Sequence, residues 1–232
     1  FEKGLKEFPS AVKDLIKNHT LIDIQKRHYG DWENVLLRQF LNARVFKFKQ
    51  ETVICPILEL INHDVISLPF ITRSDGIRTP NYPLIDSELK FSYNNKSPIN
   101  RFFTYGFYCE ETIIFSFPFT INFKDKGIDF ICKGKELIDD SMIVERSDKT
   151  IMIDGLPIAD INHRNLPEEY FKELTNKLDD LNITKDLLLT IFKLNISIRK
   201  DIISALEPIQ NEVSIMFSKV INHEINSIKF YD

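Results

Sequence analysis

Apolar residues change their spacing twice along this chain, and no single motif constrains the fold as strongly. Over the first fifty residues they recur three and four apart. Leu5, Phe8, Val12, Leu15 and Ile16 form one such series, and Trp32, Val35, Leu36, Phe40 and Leu41 form another. That spacing predicts amphipathic helices, with Asp31 as the N-cap of the second. From Val53 to about Ile153 the pattern becomes short runs rich in Ile, Phe, Val and Tyr: Val53–Ile61, Leu89–Tyr93, Ile113–Phe123, Ile128–Cys132 and Thr150–Ile153. Gly, Pro, Asn and Asp clusters separate them, which is the punctuation of strands and turns. Thr72–Pro83 has two prolines and no periodicity and reads as a loop. Isolated charges such as Asp125 and Lys133 read as solvated turn positions.

After Pro157 the helical pattern returns. Asn165-Leu166-Pro167-Glu168-Glu169 predicts a helix start, with a capping side chain, an early proline and acids at the positive end of the dipole. Thr184 is a candidate cap for a helix through about Lys200, and Ile202–Ile228 predicts a final long helix. The expected fold class is α+β: helices, a strand-rich middle, then an all-helical C-terminal block.

At 232 residues the chain is long enough for one large domain or two modest ones. A hydrophobic content of 43% and a charged content of 28% suit an ordinary globular protein with a sizeable core. The net charge of −4 lacks the basic footprint of a nucleic-acid binder. Cys55, Cys109 and Cys132 are odd in number and form no CxxC pair, so they read as thiols of an intracellular, cytoplasmic protein rather than as a disulfide or zinc framework. No run reaches the roughly 18 apolar residues of a membrane span, and no signal peptide is recognisable. The oligomeric state is not legible. The sequence opens at Phe1 rather than Met, so residues upstream are an open expectation.

Chemistry-bearing groups are few. The run Pro56-Ile57-Leu58-Glu59-Leu60-Ile61 ends in Asn62-His63-Asp64. Alone, Asn62 reads as a turn residue bonding backbone, and His63 as a structural histidine. His19, His28, His163 and His223 lack ligand spacing. No nucleophile elbow and no glycine-rich phosphate loop occurs. Glu88-Leu89-Lys90-Phe91-Ser92-Tyr93 ends a second strand-like run in a tyrosine, which alone reads as a packed aromatic with a bonded hydroxyl.

Taken in order, these segments resemble the C-terminal half of a SET domain, the fold of S-adenosylmethionine-dependent protein-lysine methyltransferases. Asn62-His63-Asp64 matches its Asn-His-Ser/Asn segment, and Glu88–Tyr93 its Glu-Leu-x-Phe/Tyr-x-Tyr strand. Ala43-Arg44-Val45-Phe46, Pro56 through His63, Asn95-Lys96-Ser97 and Tyr105-Gly106-Phe107 are similar to the Rubisco lysine methyltransferase branch. The likeness covers about residues 30–110. It implies a helical insert at 1–50, a SET-like core at 51–118, connecting strands at 119–160 and a helical substrate- or partner-binding domain at 161–232.

The resemblance also implies roles. Tyr93 is the catalytic tyrosine beside the reacting methyl and amine, and it touches the cofactor. Asn62 and His63 hold the cofactor largely through backbone groups, and Arg44 reaches its carboxylate or braces the pocket from the insert helix. Glu59, where the family has Asp, orients Arg44 on the substrate side. Tyr105 and Phe107 wall the lysine channel, with Phe107 also against the cofactor. The implied cofactor is S-adenosylmethionine, and the implied partner is a protein presenting a lysine, with no metal, membrane or nucleic acid. Asp64, Ser87 and Pro98 depart from the family's usual residues, and the Gly-x-Gly motif of its N-terminal lobe has no counterpart here. Two alternatives therefore stand beside the enzyme: a non-catalytic peptide-binding adaptor on the same fold, and an unrelated α+β protein.

Overall fold

The computed structural model describes residues 1–56, 58–64, 67–79, 89–92, 97–107, 113–124, 127–134, 143–160, 169–170, 172–173, 176 and 185–229. The chain forms two compact units, Phe1–His28 with Lys96–Asp232, and Tyr29–Asn95. It is a mixed α+β protein of small sheets and several helices. Among the described residues no helix is long and apolar enough to cross a membrane.

The larger unit opens with helices α1 (Glu2–Lys6), α2 (Ser10–Thr20) and α3 (Ile24–Arg27). Helix α2 ends where Leu21 turns left-handed, and Asp23 then caps α3 by accepting from the Lys26 amide at 2.8 Å. Helix α5 (Pro98–Tyr105) follows later in the chain. Ser97 caps it and Pro98 occupies its first turn, where the missing N–H costs nothing. Gly106 closes it at φ 76°, a left-handed conformation that glycine adopts without a Cβ clash.

Two strand systems lie in the same unit. Strands β8 (Phe119–Phe123), β9 (Ile128–Cys132), β10 (Ile143–Arg146) and β11 (Thr150–Asp154) form a sheet in the order β10-β11-β9-β8. The β9–β11 pair is parallel and the others are antiparallel. Strand β7 (Ile113–Phe115) pairs antiparallel with β12 (Pro157–Asp160). Alternate residues Phe130 and Cys132, and Ile151 and Ile153, are buried, as one-faced strands require. Helices α6 (Lys185–Leu206) and α7 (Glu212–Lys229) pack on each other, with α7 against α5, β7 and β12. Phe192, Ile202, Phe217, Val220, Ile221 and Ile228 join the strands' apolar side chains in a single core.

The smaller unit contains α4 (Trp32–Asn42), capped as expected by Asp31, which accepts from the Asn34 amide at 3.0 Å. The hairpin β1 (Val45–Phe48)–β2 (Glu51–Ile54) follows, then a 3-10 turn at Leu58–Leu60. Strand β3 (Asn62–His63) pairs with β6 (Lys90–Phe91), and β4 (Ile71–Arg73) pairs with β5 (Gly76–Arg78).

Several sequence expectations change here. Residues 45–48, expected as helix, form β1, because Val45, Phe46 and Phe48 favour a pleated strand and Lys49 turns left-handed at φ 52°. The expected strand Val53–Ile61 breaks after Ile54, since Pro56 cannot donate to a ladder. Pro118 splits Ile113–Phe123 in the same way. The expected loop at 72–83 holds the hairpin β4–β5, whose Asp75 carboxylate accepts from Arg78. Helix α6 runs unbroken through Lys200 and Ile202, and the break falls at 207–211 around Pro208, where a proline cannot continue a helix. Asn211 restarts the chain by accepting from the Ser214 amide at 2.8 Å. Lys133, expected in a solvated turn, holds Asp154 at 3.2 Å. Asp125, Asn165–Glu168 and Thr184 lie outside the described residues.

Candidate functional site

In the Tyr29–Asn95 unit, the two segments of the resemblance meet as adjacent strands. Asn62 pairs with Lys90 and His63 with Phe91, in parallel. The Asp64 amide donates to the Phe91 carbonyl at 2.9 Å. His63 Nδ1 lies 3.2 Å from the same oxygen, which makes Nδ1 the protonated nitrogen of the bonded imidazole. A parallel bridge from Pro69 to Ser92 continues the contact. Phe91 is fully buried and stacks on Phe70 at 4.4 Å, and Phe70 meets Phe46 edge-on at 5.2 Å. An aromatic column therefore backs the strand pair, with the Asn62 side chain exposed beside it.

Arg44 follows α4 directly. Its guanidinium lies over the Phe40 ring, 3.9 Å from the centroid, a cation–π contact that keeps the charged head near water. Glu59 occupies the 3-10 turn before β3. Tyr93 and Glu88 lie outside the described residues.

Tyr105 and Phe107 belong to the larger unit. Tyr105 is the last residue of α5, whose start and stop are supplied by Ser97-Pro98 and Gly106. Its ring stacks on Phe107 at 5.7 Å and 26° across the Gly106 turn. Two anchors on α7 hold α5. Phe217 stacks on Phe102 at 5.3 Å and meets Phe103 edge-on at 4.9 Å. The Glu224 carboxylate accepts from the Ile99 amide at 3.2 Å, at the positive end of α5.

That carboxylate belongs to a buried polar cluster which sequence reasoning missed. Arg199 donates to Glu224 from Nε at 2.8 Å, to the Phe115 carbonyl at 3.1 Å and to Asn195 Oδ1 at 2.9 Å. Burial lowers the Arg199 pKa and Glu224 opposes the shift, and the guanidinium stays charged. Asn195 also accepts from the Phe117 amide at 2.8 Å and donates to Ser116 Oγ at 2.9 Å. A usable signal existed: Asn195, Arg199 and Glu224 interrupt otherwise apolar helix faces, and a buried charge requires a partner.

Among the described residues no group of His, Cys, Asp and Glu could hold a metal ion. Cys55 and Cys132 are free thiols, and burial pushes the Cys132 pKa up. Comparison with family models, with curated proteins and with solved structures finds no match.

Proposed function

We propose that this protein transfers a methyl group from S-adenosylmethionine to a lysine side chain of a protein. The observation that supports the reading is the parallel pairing of Asn62-His63 with Lys90-Phe91. Two segments 28 residues apart, matched to the family on sequence alone, are neighbours through backbone bonds. A chance likeness carries no such requirement.

The donor set suits the cofactor. The Arg44 guanidinium is a partner for a carboxylate, and Asn62 offers exposed amide and backbone groups to the amino-acid and adenine portions. When bound, S-adenosylmethionine supplies a methyl activated by its sulfonium. The chain's own residues deal with the amine. A free lysine has a pKa of about 10.4, and desolvation in the apolar, aromatic-walled channel that the resemblance implies lowers it. Neutral amine is then available to attack. The resemblance gives Tyr93 the role of orienting that amine for in-line attack, and such alignment contributes a large part of a barrier reduction.

The test is transfer of isotope-labelled methyl from S-adenosylmethionine to a pool of lysine-bearing proteins. Tyr93→Phe is expected to reduce the rate at least tenfold, and an unchanged rate removes Tyr93 from the mechanism. Calorimetric titration with the cofactor is the companion measurement. Absence of binding replaces the enzyme with the adaptor alternative.

A further inference from the structure

We propose that Arg199 and Glu224 are positioning residues for the aromatic turn Tyr105-Gly106-Phe107, acting through helix α5. The role of the turn itself rests on the methyl-transfer reading above; its positioning does not.

Helix α5 has eight residues, about two turns, and a helix that short has no independent stability in water. Its orientation is set by what holds it. At its N-terminal end the Asn100 amide goes to Ser97 Oγ at 3.3 Å and the Arg101 amide to the Ser97 carbonyl at 2.9 Å. The Ile99 amide goes to Glu224, 125 residues away in sequence. Glu224 is fully buried, and Arg199 fixes its carboxylate. Arg199 is in turn tied to the Phe115 carbonyl of β7. One chain of bonds thus runs from β7 through α6 and α7 to the first turn of α5. At the other end of that helix, the Gly106 amide closes on the Phe102 carbonyl at 2.9 Å and presents Tyr105 against Phe107. On this account the C-terminal helices fix the angle of the aromatic wall as well as offering a surface.

Removing only one member strands a buried charge and risks unfolding. Two double variants avoid this. Arg199→Met with Glu224→Gln keeps an acceptor for the Ile99 amide. Arg199→Met with Glu224→Leu fills the same space without one. Hydrogen exchange read residue by residue on the full chain compares them. The Leu variant is expected to exchange its Phe102–Gly106 amides about tenfold faster than the Gln variant, with β8 and β9 unchanged. In transfer assays on synthetic peptides carrying one lysine, kcat/KM for the peptide falls severalfold in the Leu variant, and the Gln variant restores it. Equal exchange in the two variants overturns the proposal, as does an increase spread evenly over the strands. If the wild-type chain transfers no methyl group, the methyl-transfer reading fails, and the exchange comparison still decides whether the pair positions the turn.

Discussion

Replacing Asn195 tests whether hydrogen bonds or shape hold the centre of the larger unit. The side chain is fully buried, and each of its groups is used. Nδ2 donates to Ser116 Oγ at 2.9 Å and to the Ile191 carbonyl at 3.0 Å. Oδ1 accepts from the Phe117 amide at 2.8 Å and from Arg199 at 2.9 Å. Asn195→Ala leaves the Phe117 N–H without its acceptor, at about 1–3 kcal/mol, and takes one acceptor from a buried cation. A total near 3–4 kcal/mol follows on that scale, before any void is counted. With a denaturant slope of about 2–3 kcal/mol/M in urea, the midpoint falls by roughly 1–2 M. Circular dichroism at the helical band suits the measurement, since α6 and α7 are the two longest helices among the described residues. Asn195→Leu supplies the control. It restores bulk without hydrogen bonds, so a bond-driven loss stays near the Ala value and a void-driven loss recovers. A Leu variant as stable as wild type refutes the reasoning.

Gly134 sits at φ 66°, and an added Cβ would clash with Pro118 Cδ and come within 2.7 Å of the Pro118 backbone nitrogen. Gly134→Ala should therefore cost several kcal/mol in urea titration, whereas Gly30→Ala, with φ 103° and open space around it, should cost only the roughly 1 kcal/mol of backbone strain. Equal losses would count against the clash. Burial lowers the His28 pKa below its ordinary value of 6.5, although Glu2, bonded at 2.9 Å, opposes the shift. The folded state thus binds that proton less readily than the unfolded chain. Stability should be complete above pH 6.5 and fall as the pH drops below it, and His28→Gln should flatten the decline seen in urea midpoints. Glu2 adds a second decline below its ordinary 4.5: burial raises its pKa, but Arg27 and His28 outweigh that and lower it overall. In the Tyr29–Asn95 unit, Val35 and Phe91 are the buried hydrophobic residues among those described, while Leu36, Leu37, Phe40, Leu60 and Leu68 are exposed. Amides of the hairpins β1–β2 and β4–β5 should exchange far faster than those of α6 and α7, and comparable protection would refute this.

Much of the candidate site was legible because its residues sit in short runs whose order can be read directly. Asn62-His63, Arg44 and Tyr105-Gly106-Phe107 are of that kind. Their local settings were less legible. The sequence reading names no helix at 97–106, although Ser97-Pro98 and Gly106 bracket one in which Ile99, Phe102 and Phe103 turn one face inward. The run was too short for its period to stand out. The cluster of Arg199, Glu224, Asn195 and Ser116 was not legible as a unit, because its members lie up to 108 residues apart along the chain.

The sequence by itself determined what depends on near neighbours. Asp31 caps α4 through an amide three residues on, Pro118 interrupts a strand wherever that strand lies, and the apolar spacing of 185–229 makes helices with one buried side. These choices are settled by contacts within about four residues. Tertiary structure alone decided the pairings: β3 with β6, β9 parallel to β11, and Glu224 on the first turn of α5. A strand pattern states which face is apolar but not which strand lies beside it, and a carboxylate in an apolar stripe states that a partner exists but not where. Closing those long loops costs chain entropy that only the assembled core and its satisfied buried charges offset.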